Sequence, residues 1–276
     1  MQRRTVLQYQ RFRYLKVALW LNALAILAYL IHRPPFGAYG GTWLGYTLGV
    51  ISAAIVFLLL WLGVRKRQYR GTSMLQGWLS AHVYLGASLI VLATLHSGFQ
   101  FGWNVHTLSY ILMLFVIVNG FYGMFAYLRF PGFITKNLGE DTLESILLKL
   151  VELDELAHLN ALQLPDEIVE ITRKARQETL IGGNVIQQLI GRQVNCPTSV
   201  AVAKLREFGK NLKGVQPKHC HELYLLMLRR EALVARARRD VMLRAHLEIW
   251  LYLHIPLSVG LLVALIAHIT STYFYW

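Results

Sequence analysis

The first half of this sequence has almost no negative charge, since no aspartate or glutamate precedes Glu140. Cysteine is also scarce, with only Cys196 and Cys220, and no CxxC pair is present. This pattern gives no support to a structural zinc site. No glycine-rich nucleotide fingerprint follows a strand pattern, which excludes a dinucleotide-binding domain of that kind. Any reaction that uses NADPH would therefore depend on another protein.

Long apolar runs take the place of these features, and 55% of the residues are hydrophobic. A membrane span needs about 20 predominantly apolar residues. Five segments meet this requirement: 15–32, 42–64, 78–101, 105–128 and 248–272. The sequence thus predicts an all-α membrane protein, a bundle of five spans. Its predicted domains are spans one to four in 1–128, an insertion in 129–247, and the fifth span in 248–276.

The insertion has a helical pattern. Pro165-Asp166-Glu167 is typical of a helix start, and Gly182-Gly183 and Cys196-Pro197 are typical of breaks between helices. No alternating strand pattern occurs in it. We therefore expect a helical domain between spans four and five.

Cations indicate the orientation, because short loops rich in Lys and Arg stay in the cytoplasm. The N-terminus and the loop after span two hold Arg3, Arg4, Arg11, Arg13, Lys16, Arg65, Lys66, Arg67 and Arg70, whereas the opposite loops hold only Arg33. The pattern predicts a multi-pass protein of the bacterial inner membrane, with the N-terminus inside, the C-terminus outside and the insertion cytoplasmic. The net charge of +13 then reflects topology and contact with anionic membrane lipid, not nucleic acid.

Two pairs of histidines carry the strongest chemical signal. His82 and His96 in span three are fourteen residues apart, and so are His254 and His268 in span five. Fourteen residues make about 3.9 helical turns, which places both members of a pair on one helix face, ~21 Å apart. Spans three and five run in the same direction, so His82 is predicted level with His254, and His96 level with His268.

Two opposed imidazoles at each of two depths are the ligand set of two six-coordinate haems. We expect one haem b at the inner pair, His82 and His254, and another at the outer pair, His96 and His268. A histidine-lined metal or proton transporter is an alternative, although such paths usually add carboxylates. A structural membrane anchor for a soluble enzyme is the other alternative. His246 would replace His254 if that ligand were misassigned. His32 and His106 lie near the outer ends of their spans, where a quinone head group or a haem propionate could use them, although an interfacial histidine is more often only hydrated.

Glycines accompany these histidines at Gly49, Gly63, Gly86 and Gly123. The spacing of Gly49 and Gly63 is again fourteen residues, and small residues would let a wide macrocycle approach the helix backbone. Glycine also mediates ordinary helix packing in membranes. On the cytoplasmic side, Arg70 and Arg129 are candidate partners for the propionates of the inner haem, although topological arginines would look the same.

These histidines, with Gly86-Ala87-Ser88 after His82 and Pro256 after His254, resemble the dihaem four-helix core of the transmembrane cytochrome b and b6 superfamily and the related ferric-reductase-like membrane domains. The resemblance covers spans two to five. It implies an electron-transfer subunit of an oxidoreductase complex, often coupled to quinone, as in respiratory chains. The first span, the insertion and the lack of later helices depart from the family.

A basic stretch leads into the last span. Its arginines are Arg229, Arg230, Arg236, Arg238, Arg239 and Arg244. One hypothesis is a docking platform for the acidic face of a cytoplasmic iron-sulfur or flavin protein. The other is a basic helix that contacts lipid headgroups. On the outer side, a periplasmic cytochrome c is the expected type of partner.

Overall fold

The computed structural model describes residues 6–35, 37–65, 72–210 and 216–274, and within these ranges it is helical and has no strand. A 3-10 turn at Val6–Gln8 precedes the α-helices. These are α1 (Arg13–Ile31), α2 (Trp43–Arg65), α3 (Thr72–Ser97), α4 (Val105–Leu138), α5 (Leu143–Ala161), α6 (Asp166–Glu178), α7 (Val185–Ile190), α8 (Pro197–Lys210) and α9 (Gln216–Phe274). The prediction of an all-α protein is confirmed.

The chain divides into two compact units. The first unit is Met1–Phe125 with Trp250–Trp276, and the second unit is Ala126–Ile249. Helices α4 and α9 each contribute residues to both units.

Five helices are long and apolar enough to cross a membrane, as predicted. They are α1, α2, α3, the helix beginning at Val105 and the helix ending at Phe274. Large apolar side chains are exposed along these helices. Examples are Leu19, Trp20, Leu24, Val118 and Val263. Soluble proteins rarely expose apolar patches of this size to water.

Two helices continue well past the predicted spans. Helix α4 runs on to Leu138 through Pro131, and α9 begins at Gln216, far ahead of the apolar run. The stretch before the fifth span is rich in Ala, Leu, Arg and Glu, which are all good helix formers. Hydropathy therefore marks where a span ends, but the helix itself ends elsewhere.

In the first unit, α3 packs closely against α1 and α2. Leu92 of α3 is fully buried in the shared apolar core. Helix α3 ends at Ser97, and Gly98 follows with a φ of +59°. A Cβ on Gly98 would lie 2.1 Å from the Ala38 carbonyl oxygen. Glycine is therefore needed here, and it brings the loop before α2 against the end of α3.

The second unit has its own apolar core, formed mainly by α5, α6, α8 and the first part of α9. Thr142 caps α5, and Asn184 caps α7, each through a reciprocal pair of hydrogen bonds. Helix α6 begins at Asp166, and the chain breaks between helices at 182–183 and at Cys196, as the sequence predicted. This core of the second unit holds Ala157, Ala161, Ile168, Ala175, Ala201, Leu205, Leu223 and Met227.

Candidate functional site: two facing histidine pairs

Both predicted histidine pairs come together in the first unit. The rings of His82 and His254 face each other with centroids 6.4 Å apart and planes inclined by 56°. The rings of His96 and His268 have centroids 5.9 Å apart and are nearly perpendicular, at 88°. All four side chains are partly buried. The pairs follow the same order along α3 and α9, so the two helices run parallel here.

These separations suit a metal ion between the rings of each pair. Metal–imidazole bonds measure about 2.0–2.1 Å, so two rings on opposite sides of one ion have centroids roughly 6 Å apart. Helix α3 packs its backbone closely on α1 and α2. It faces α9 across the two pairs of histidine rings, and Leu261 of α9 shares its apolar core. The two pairs therefore lie at two levels between α3 and α9.

Hydrogen bonds orient three of the four rings through the same atom, Nδ1. The Nδ1–H of His96 donates to the Gly45 carbonyl oxygen over 2.7 Å. The Nδ1–H of His254 donates to Oδ1 of Asn119 over 3.1 Å. His268 uses its Nδ1 in a hydrogen bond with His106.

The choice of Nδ1 matters for ligation. A neutral imidazole that donates from Nδ1 carries its lone pair on Nε2. Metal-binding histidines show this arrangement, in which the second nitrogen donates to a carbonyl or a similar acceptor. His96 and His254 thus have the tautomer of an Nε2 ligand. The Nδ1 of His82 is buried and has no hydrogen-bond partner within the described part of the chain.

The predicted glycines have different neighbours. A Cβ on Gly49 would lie 2.6 Å from Cε1 of His96, and one on Gly123 would lie 1.8 Å from the Trp250 ring. A Cβ on Gly86 would meet only a Leu59 methyl group, at 3.7 Å. The space at Gly49 and Gly123 is therefore filled by rings of the chain itself.

Other predicted site residues belong to the second unit or cannot be placed. Gly63 belongs to α2, but the surroundings of its α-carbon fall outside the description, and Arg70 lies outside the described residues. Arg129 belongs to α4 in the second unit. His246 is also in the second unit, where its Nδ1–H donates to the Met242 carbonyl. It is therefore His254 that faces His82.

Three neighbours of the pairs were missed in the sequence. His106 contacts His268, with ring centroids 4.5 Å apart. Asn119 holds His254, and the Trp250 ring lies 5.5 Å from the His254 ring. Asn119 had a usable signal, because a polar residue in the middle of an apolar span usually serves another buried group.

Most arginines of the predicted docking platform bind partners inside the second unit. The contacts are Arg230 with Asp154 and Thr198, Arg236 with Asp141 and the carbonyls of Asn137 and Leu138, Arg238 with Leu180 and Gln193, and Arg244 with Asp240. Arg229, Arg239 and Arg244 are exposed, but Arg244 pairs with Asp240, which leaves Arg229 and Arg239 as the exposed members without an ion pair among the described residues. These two are the members best placed to meet another molecule.

No cluster of three or more His, Cys, Asp or Glu side chains suited to a metal ion occurs within the described ranges. A haem needs only two protein ligands, so the facing pairs are a separate kind of site. No family model, curated protein or solved structure matches this chain.

Proposed function

We propose that this chain is a dihaem b-type cytochrome, a membrane subunit of an oxidoreductase complex that carries electrons between quinone and a partner redox protein. The proposal rests on two facing pairs of histidines in matching register on α3 and α9. The ring centroids are 6.4 Å apart in the His82–His254 pair and 5.9 Å apart in the His96–His268 pair. Random packing of partly buried histidines would not repeat the same spacing at two levels. The proposal places the chain beside the cytochrome b and b6 superfamily.

His82 and His254 would hold the inner haem, and His96 and His268 the outer one. A bound haem supplies one-electron chemistry at its iron. The protein would contribute the four histidine nitrogens that hold the haems, and Gly45 and Asn119 orient the rings of His96 and His254. The apolar helices exclude water from this region, and the two levels define a path across the membrane.

The orientation forms part of the proposal. The cation pattern supports an N-terminus inside, a C-terminus outside and a cytoplasmic second unit. A periplasmic reporter fused after Trp276 should be active, and a cytoplasmic reporter inserted beside Gly183 should be active too. The opposite pair of results would exchange the inner and outer assignments.

Arg229 and Arg239, which are exposed, support electrostatic docking of a cytoplasmic iron-sulfur or flavin protein. Such docking raises the association rate and is screened by salt. Replacing both with Gln should slow reduction of the inner haem at low ionic strength and leave the rate at high ionic strength unchanged. If the variant and the wild-type protein are reduced at equal rates at both ionic strengths, the result would favour the lipid-contact role for this helix.

Paired ligand variants test the function itself. His82→Ala and His254→Ala should remove the same component of the reduced-minus-oxidised spectrum, and His96→Ala and His268→Ala the other. His32→Ala is the matched control, because His32 lies at the end of α1 and packs against Trp43, with ring centroids 5.0 Å apart. Loss of different components from His82→Ala and His254→Ala would contradict the pairing. A histidine-lined transporter predicts no haem component to lose.

A further inference from the structure

We propose that His106 is a positioning residue for the outer site. It accepts a hydrogen bond from His268 and so holds the ring of that ligand in place. The inference rests on the proposed function. It assigns to His106 a role that the spacing of the histidines does not predict.

The distances from the His268 ring give its two histidine neighbours, His96 and His106, different roles. The His96 ring lies 5.9 Å from the His268 ring, whereas the His106 ring lies 4.5 Å away and perpendicular, at 89°. Two ligands on opposite sides of one metal ion need roughly 6 Å between centroids. The shorter separation leaves no room for an ion between His106 and His268, but it suits the hydrogen bond that joins their Nδ1 atoms.

His106 is held at this place by the start of its helix. It is the second residue of α4, whose first turn is capped by Asn104. Oδ1 of Asn104 accepts a hydrogen bond from the Thr107 backbone N–H over 3.0 Å, and Oγ1 of Thr107 accepts one from Gly102 over 3.1 Å. Two bonds therefore fix the loop and the helix start on either side of His106.

The acceptor differs between the two proposed sites. His254 donates to the amide oxygen of Asn119, whereas the partner of His268 is an imidazole nitrogen. A nitrogen lone pair is a stronger base than an amide oxygen, and an acceptor of this kind raises the basicity of a metal ligand. A more basic histidine ligand would favour ferric iron. His106 should therefore lower the reduction potential of the outer haem.

Two substitutions separate a hydrogen-bonding role from simple packing. His106→Phe keeps a ring but has no acceptor, and His106→Asn carries Oδ1 near the position of Nδ1. The reduction potential of each haem would be measured by spectroelectrochemical titration of the purified full chain. His32→Phe is the control, because it removes another histidine at a span end that packs against Trp43.

We expect His106→Phe to raise the outer potential and His106→Asn to restore part of the original value, because an amide oxygen is a weaker acceptor than the imidazole nitrogen. Loss of a residue that hydrogen-bonds a metal ligand typically changes the metal affinity or the activity by a factor of about 10 to 100. A tenfold change corresponds to about 59 mV for one electron. The inner potential should stay unchanged in both variants and in the control.

Several results would overturn the inference. An outer potential that does not move in His106→Phe would leave His106 as packing alone. Complete loss of the outer haem from both variants, as in His268→Ala, would identify His106 as a ligand. A wild-type protein without haem would overturn the proposed function as well, so the two failures can be told apart.

Discussion

His82 and His254 lie on separate helices of the first unit, and their imidazole rings face each other with centroids 6.4 Å apart. The relationship repeats between His96 and His268, at 5.9 Å. A helix turns by about 100° per residue, so a one-residue error in the register of α3 or α9 would separate both pairs together. The two pairs therefore support each other as evidence for one arrangement of these helices.

The close approach of Gly49 to His96 gives a selective prediction. Gly49→Ala should reduce occupancy of the outer haem, because its Cβ would lie 2.6 Å from Cε1 and 2.8 Å from Nδ1 of the His96 ring. Gly86→Ala is the matched control, since its Cβ would only touch a Leu59 methyl group at 3.7 Å. Haem content of the two purified variants checks this prediction. Equal outer occupancy in both would show that the His96 ring is free to move.

Asn119 gives the corresponding prediction for the inner site. Asn119→Leu removes the acceptor of the His254 Nδ1–H, so affinity for the inner haem should fall by about 10- to 100-fold. The outer haem should be retained. Asn22→Leu is the control, because Asn22 also lies in a span but bonds to Ser88. Transfer of haem to an excess of a soluble haem acceptor measures the change. Faster loss from the outer site would contradict the assignment.

The two cysteines should differ in the pH dependence of their alkylation. Burial raises the pKa of the Cys196 thiol, but hydrogen bonds from the Ser199 N–H, the Arg238 guanidinium and the Thr198 N–H outweigh it, so the pKa is lowered. Burial raises the pKa of Cys220. The thiolate is the reactive form. Labelling of Cys196 should therefore rise with pH in a lower range than labelling of Cys220.

Mass spectrometry after timed alkylation gives both pH profiles from one sample. Arg238→Gln should move the Cys196 profile to higher pH, because the guanidinium contact of 3.4 Å with Sγ is lost. Arg239→Gln is the neighbouring control on the exposed side of α9. Coincident profiles for the two cysteines would rule out the proposed stabilisation of the Cys196 thiolate.

The ion pair of Arg230 and Asp154 should stabilise the second unit. The Arg230 side chain is 5% exposed and that of Asp154 is 15% exposed. Removing one partner of a buried pair typically costs about 3–5 kcal/mol, because the other charge is left without compensation. Arg230→Gln should therefore lower the urea concentration at which the second unit becomes sensitive to proteolysis. Lys149→Gln should change this concentration little, because the Lys149 side chain is 51% exposed and its partner Asp141 also pairs with Arg236.

The four histidines could be paired from the sequence because helix geometry alone sets the register. Fourteen residues return the chain to nearly the same face, whatever surrounds the helix. The five spans were predictable for a similar reason, since the length of an apolar run decides whether it can cross a membrane. The role of His106 could not be predicted from the sequence, because its contact with His268 depends on how the start of α4 lies against α9.

The partners of the basic residues also could not be predicted from the sequence. Arg230 reaches Asp154, and Arg236 reaches Asn137, across long stretches of chain. A run of arginines predicts a charged surface, but only the fold decides which of them are neutralised internally. The same applies to Gly123, whose missing side chain makes room for the Trp250 ring.

The haem content of the purified wild-type chain tests the central claim most directly. The protein would be produced in membranes with haem in supply, purified in detergent, and assayed by its pyridine haemochrome spectrum against protein concentration. The account predicts two non-covalently bound b-type haems per chain, with two components in the reductive titration. A colourless protein, or one whose metal content is a transition ion without porphyrin, would contradict it.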